Sequence, residues 1–323
     1  MKTLACLLLA FVALPVVAQT GLPPFGSFQS AGFDTVNLQN LNDNFSIPIV
    51  SVPGRGTDFT FSIAFNSLMW QNQTGTPNTW QPVVDASGNP TWGWQKDIYG
   101  GVVLFSKFTQ TIKCFDGNGG FFFGTRITWS GYRYRDVLGT DHAFTIKFVS
   151  DCNGDTVTGS ANASDGSGYH VDTTDWDHPI GISPGGLKTP SGGSSTDTNG
   201  NLISKVVINS SENDWTDTVG HVVLKVITGA SSIQYKFQDT TGVYQTATLN
   251  LSPYTIKTSF LCTGVTDYTG STTVNLPTSL VLPNGKQYTF AYEQTPGSGT
   301  GFTTGRVQQV TLPTGGSYSY SYP

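Results

Sequence analysis

The stretch SSTDTNGNLISKVV, Ser194 to Val207, admits three readings that lead to three different proteins. Asp197, Asn199 and Asn201 place oxygen donors at alternate positions, as at the start of a calcium loop. Asp197 could instead be a catalytic carboxylate on a mobile loop. In the third reading Asp-Thr-Asn-Gly is a tight turn between two strands and carries no chemistry. The rest of the chain decides between them. Asp-x-x-Gly occurs ten times: once at Asp97, and in the nine copies read as turns, beginning at Asp85, Asp116, Asp136, Asp151, Asp165, Asp197, Asp217, Asp239 and Asp267. With 19 Asp and 38 Gly in 323 residues, about two copies are expected by chance.

Most copies have strand-like sequence on at least one side, and turn chemistry explains the pattern. An Asp that opens a turn accepts N–H bonds from the residues after it. A Gly three places on takes the left-handed conformation without a Cβ clash. A type I turn followed by such a Gly joins two strands with their natural twist. Calcium needs more donors at fixed intervals. Asp151, Asn153 and Asp155 come nearest, but the sixth position is Thr156 rather than Gly and the twelfth is Asn162 rather than Glu. Calcium stays a minority option at residues 151–155 alone. "DTNGN" is a turn.

The segments between these turns alternate. "TDFTFSIAF" (Thr57–Phe65), "HVVLKVI" (His221–Ile227), "IQYKFQD" (Ile233–Asp239) and "QYTFAYE" (Gln287–Glu293) are β-branched and aromatic runs bounded by Gly, Pro, Asn and Asp. Beyond the N-terminal leader no stretch repeats apolar residues at helical spacing over three turns. The expected class is all-β, built of antiparallel hairpins forming β-sandwich or sheet modules.

Composition narrows the function. Charged residues are 11% of the chain against a usual ~25%, and the net charge is −5. The basic residues are scattered, so a nucleic-acid partner is not expected. Met1-Lys2, the apolar run Leu4–Leu14 and the small residues of Pro15-Val-Val-Ala18 have the form of a signal peptide cleaved before Gln19. That run is shorter than the ~20 residues of a spanning helix and no later segment qualifies, so no membrane span is expected in the mature chain. The expected location is therefore secreted or cell surface. Removal of the leader, with its Cys6, leaves Cys114, Cys152 and Cys262, among which sequence alone allows three pairings. Cys114 and Cys152 flank the turn at Asp136–Gly139 and are the expected pair.

A second repeat lies near the C-terminus. Leu282-Pro-Asn-Gly-Lys-Gln-Tyr-Thr-Phe-Ala-Tyr292 and Leu312-Pro-Thr-Gly-Gly-Ser-Tyr-Ser-Tyr-Ser-Tyr322 share the frame L-P-x-G-x-x-Y-x-[FY]-x-Y. Each copy reads as strand, Pro-Gly turn and strand. Stacked repeats cover one another. The tyrosine stripe Tyr318/Tyr320/Tyr322 is therefore expected to lie bare on an edge, with a further repeat as the partner that would cover it.

Those residues resemble a family. "SLVLPNGKQYTFAYEQTPGSGTGFTTGRVQQVTLPTGGSYSYSYP" is similar to the segment leading into the YD repeats of bacterial Rhs-repeat proteins. "STDTNGNLIS", "TDTVGHVVLKV", "YRYRDVLGTDHAF" and "SDGSGYHV" resemble the hairpins of the same proteins, and "NLNDNFSIPIVSVPGRGTDFTFSIAFNS" their opening. His221 stands where Arg is common in that motif, and no full Y-D-x-x-G-R-L repeat occurs. The resemblance is thus to the region before the repeat array. It implies a β-rich architecture that winds into a hollow shell, often around a C-terminal toxin or adhesive domain. The organisation expected is a signal peptide at 1–18, an N-terminal β domain at 19–190 and a β-hairpin region at 191–323 resembling the start of a YD-repeat array.

No catalytic, cofactor-binding or metal-binding residues are assigned. Glycan hydrolysis needs paired carboxylates, yet Glu212 and Glu293 are the only glutamates and nine of the Asp residues belong to the turn motif. The densest polar cluster is His170, Asp172, Asp175, Asp177 and His178, read as a polar loop with metal or acid/base chemistry as the sharper option. Trp92 and Trp94 share a face by alternation, with Tyr99 near in sequence. They are read as sheet packing, with a sugar-stacking platform as the alternative. The function expected is an exported, non-catalytic β scaffold whose partners are downstream repeats or neighbouring β modules. The alternative is a secreted carbohydrate-binding or carbohydrate-active protein, with a possible glycan partner.

Overall fold

The computed structural model describes residues 28–322 apart from 31, 38–41, 55–57, 74–77, 85–88, 98, 138–139, 157–158, 191–192 and 271–272. The leader at 1–18 and the turn at Asp85–Gly88 lie outside the described residues. Every regular element described is a strand, and all but one of the strand pairings are antiparallel. The protein is all-β.

The first sheet contains β1 (Phe28–Ser30), β2 (Asp34–Asn37), β3 (Asn42–Val52) and β4 (Phe59–Asn66). A separate hairpin of β5 (Trp70–Gln73) and β6 (Thr79–Pro82) follows, and then β7 (Trp94–Gln95) pairs with β4. Alternation in β4 puts Phe59, Phe61, Ile63 and Phe65 on one fully buried face.

The second sheet is a long hairpin, β8 (Val102–Phe115) and β9 (Phe121–Arg135). The short β10 (Asp141–Ala143) and β11 (Lys147–Asp151) also pair with β9, and β11 continues into β12 (Gly154–Asp155). The hairpin tip projects into solvent, with Phe115 and Phe123 74% and 72% exposed and the Lys113 ammonium 3.7 Å from the Phe121 ring centroid.

The third sheet has fourteen strands in chain order. They are β13 (Ser160–Asn162), β14 (His170–Asp172), β15 (Ile180–Ile182), β16 (Lys188–Pro190), β17 (Ser195–Thr196), β18 (Leu202–Val207) and β19 (Glu212–Thr216). β20 (Val222–Thr228), β21 (Ser232–Gln238), β22 (Tyr244–Ile256), β23 (Thr273–Val281), β24 (Gln287–Gln294), β25 (Phe302–Thr311) and β26 (Ser317–Ser319) complete it. Each strand pairs with its sequence neighbour. β22 also pairs in parallel with β25 at Thr255↔Phe302 and Ile256↔Thr303, so strands β22–β25 close on themselves at one end.

The turn motif accounts for much of this order. Asp116, Asp136, Asp151, Asp165, Asp197, Asp217 and Asp239 each begin a turn joining two antiparallel neighbours. At Asp197, Asp217 and Asp239 the geometry repeats. The Asp N–H donates to the carbonyl four residues on, and its carboxylate accepts from the second and fourth N–H groups beyond it. Leu282 and Leu312 close the same backbone ring with Pro in second place. D-x-x-G and L-P-x-G are therefore one turn in two spellings, with carboxylate bonds in the first and a fixed φ in the second. Asp97, bound to Lys205 and Asn213, joins no hairpin, and Asp267 is a second exception. Its carboxylate accepts from the Thr258 hydroxyl and the Phe260 N–H, both at 2.8 Å, and pins the segment between β22 and β23. Asp151, the calcium option, is instead paired with Arg126 at 2.7 Å.

The first sheet packs its phenyl face against the inner face of the third. Phe61 meets Trp215 and Tyr235, and Phe45 stacks over Phe290 at 6.2 Å. One core thus joins residues 45–99 to residues 203–310. A smaller core lies between β8–β9 and β14, around Trp129, Tyr132, Tyr134 and Val171. The third sheet runs without interruption past residue 190, through β16, β17 and β18.

Cys114 and Cys152 form the disulfide, the expected pair, and Cys262 is a free exposed thiol. β8 and β11 pair with opposite edges of β9, and the bond ties Cys114 of β8 to Cys152, just past the end of β11, beside Gly124.

The expectation of a bare tyrosine edge needs correction. The Tyr318 ring stacks on Phe33 at 5.2 Å, Tyr320 packs against the main core, and the Tyr322 hydroxyl donates to the Val307 carbonyl at 2.7 Å. The chain's own N-terminal sheet covers this aromatic face. The outer backbone edge of β26 has no paired strand among the described residues.

Candidate functional site

Alternation in β3 sends Phe45 and Ile47 into the core and turns Asn44 and Ser46 to the opposite face, beside Thr35 of β2. That polar face looks across a cavity of about 400 Å³ to the Asp136 turn, to β10 and to the Asp165 turn. The far wall carries His142 on β10, Thr140, Asp136, Ser167 and Tyr169.

His142 is 4% exposed and sits between two carboxylates, with Nδ1 2.7 Å from Asp165 and Nε2 3.5 Å from Asp136. Burial alone lowers the affinity of such an imidazole for a proton. The hydrogen bonds and negative charge of Asp136 and Asp165 outweigh it, and the net shift is upward. Tyr169 stacks on the imidazole at 4.1 Å and fixes its plane. Both ring nitrogens face carboxylates, so neither is placed to take a proton from a substrate.

Asn44, 2% exposed, accepts from the Asn42 amide at 3.1 Å, while its own Nδ2 has no hydrogen-bond partner. A buried amide donor left in this state is costly.

On the other face of β3, Asp43 is buried with neither carboxyl oxygen bonded. Burial, reinforced by the charge of Asp34, pushes its carboxyl up to about 7. An acid whose pKa is higher in the folded chain than in the unfolded one binds its proton more tightly when folded. Its stabilising effect is present below the unfolded value and disappears as pH rises through the folded one. Stability should therefore fall between about pH 4.5 and 6, below the range in which His142 adds a decline of the same sign. Urea midpoints across that range should fall for the natural chain and stay flat for Asp43→Asn. Parallel slopes for the two would refute the assignment.

The residues singled out from sequence lie elsewhere. Asp177 accepts from Lys107 at 2.8 Å and from the Trp129 indole at 2.7 Å, which lowers its pKa and ties the loop to β8–β9. Asp175 engages His178, Asp172 engages Thr174 and His170 engages Asn162. The five do not converge, and no metal-binding group of three or more His, Cys, Asp or Glu occurs among the described residues. Trp92, Trp94 and Tyr99 are 8%, 3% and 7% exposed. Trp94 donates to the Tyr292 hydroxyl, Trp92 packs on Trp70 and Tyr99 stacks on Phe59. They belong to the core and form no sugar-stacking platform. Glu212 and Glu293 are held apart in ion pairs with Lys225 and Arg306.

The cavity was missed because its walls come from three distant segments. Its one trace in the sequence is the pair Asn42 and Asn44, polar at alternate positions inside a strand. No protein-family model matches the chain, and no curated protein matches it.

Proposed function

We propose that this chain is an exported, non-catalytic β scaffold, presented at the cell surface or secreted, that forms the first part of a wound β shell. The observation that carries the reading is the fourteen-strand sheet in strict chain order, whose recurring turns set each strand beside the last. Such a sheet lengthens by adding a hairpin at its end, as repeat arrays do. The first sheet, packed against one face of it, acts as its plug. The likeness of the sequence to the region before the YD repeats of Rhs proteins supports the same reading. Among the described residues no helix is long and apolar enough to cross a membrane.

The test is to add structure at the β26 edge. A chain carrying one more copy of the Leu282–Tyr322 unit after Pro323 should melt at a higher temperature, with the added hairpin resisting protease. An appended unit that is cleaved at once and leaves the melting temperature unchanged would remove the basis for a shell-forming role.

A further inference from the structure

We infer that the cavity between the Asn44 face of β3 and His142 is a binding site for a small neutral polyol, a mono- or disaccharide. This goes beyond the scaffold reading and does not depend on it.

The size is suitable, since about 400 Å³ falls within the ~300–1,000 Å³ of small-molecule sites. The chemistry of the walls selects the class. Asn44 Nδ2 is a buried donor that lacks an acceptor, so a purely hydrocarbon guest would leave it unsatisfied. The Asp136 carboxylate opposite is an acceptor, and the hydroxyls of Thr35, Ser46 and Thr140 both give and take. A guest that meets a lone donor on one wall and an acceptor on the other must carry groups that serve as both. Sugar hydroxyls do this.

The same walls disfavour other guests. Among the described residues no Lys or Arg lines the cavity, and Asp136 with Asp165 behind His142 repels an anion. A metal ion would find the Asp136 carboxylate and a His142 ring already engaged by two carboxylates, and no group of three or more His, Cys, Asp or Glu among the described residues. His142, clamped by its two carboxylates and stacked on Tyr169, is a positioning residue that keeps the far wall in place.

Saturation-transfer NMR and calorimetry on the full chain, with glucose, galactose, N-acetylglucosamine, maltose and cellobiose as probes, test the inference. At least one sugar should bind. Asn44→Leu, which removes the donor, and the near-isosteric Thr140→Val should each weaken that binding at least tenfold. Thr140→Val should do so with the melting temperature unchanged, which keeps the test meaningful if Asn44→Leu folds poorly. Binding of none of the five sugars overturns the assignment. So does sugar binding that Thr140→Val leaves intact, or stronger binding of acetate or tetramethylammonium than of any sugar.

Discussion

Trp215→Ala should lower the unfolding free energy by about 3–5 kcal/mol, the cost typical of emptying a large buried aromatic site. Trp215 is fully buried on β19 and meets Phe59, Phe61 and Tyr99 at ring distances of 6.4, 6.2 and 5.9 Å. All three partners come from the N-terminal part of the chain, so the side chain is a joint between the first and third sheets. Truncation leaves a void that neither sheet can close alone, because each is held by its own hydrogen-bond ladder. Urea unfolding followed by far-ultraviolet circular dichroism should show one transition moved to lower denaturant. Leu261→Ala, at a side chain 82% exposed, should leave the midpoint in place. A loss below about 1 kcal/mol for Trp215→Ala would mean that the sheets do not share a core.

Loss of the Cys114–Cys152 bond is expected to cost about 4 kcal/mol, the chain-entropy value for a loop of 38 residues. The bond lies beside Gly124 of β9, where an added Cβ would lie 2.6 Å from Cys114 Sγ. Gly124→Ala should therefore act like Cys114→Ser without touching a cysteine. Two more thiols should react with a thiol reagent in the denatured, unreduced protein, and the urea midpoint should fall toward that of Cys114→Ser. A Gly124→Ala chain that keeps both the bond and its stability would show that the placement beside Gly124 is wrong.

The turns were legible because their chemistry is local. Asp, Gly and the two residues between them favour the closed ring through bonds within the motif itself, and seven of the ten motifs join neighbouring strands. Asp267 fails for an informative reason: its carboxylate finds partners in Thr258 and Phe260 and is drawn out of a hairpin role. Strand faces were half legible. Alternation groups Trp92 with Trp94 and Tyr318 with Tyr320, but Trp92 lies in a turn at φ 52° ahead of β7, outside any strand face, and alternation cannot say what lies opposite a face. Here the first pair is covered by Tyr268 and Phe290, and the second by the N-terminal sheet around Phe33. The cavity was not legible at all, because no spacing in the sequence links residues 35–46, 136–142 and 165–169. Cys114 and Cys152 were matched correctly, though their strands β8 and β11 are not antiparallel neighbours but both pair with β9.

Strands β13 to β26 pair with their neighbours in the chain, so each can settle soon after it leaves the ribosome or a translocation pore. The phenyl face of β4 gets only part of its cover, Tyr99 on Phe59 and Trp94 on Phe65, from nearby in the chain. Phe59 and Phe61 are covered by Trp215 and Tyr235, and Phe45 by Phe290, all from far downstream. A chain emerging N-terminus first thus holds a sticky aromatic surface in water until most of its length has followed. High contact order of this kind slows folding and leaves time for intermolecular association. The sheet that ends as the most sheltered part of the molecule is, during biogenesis, the part most in need of a holding chaperone.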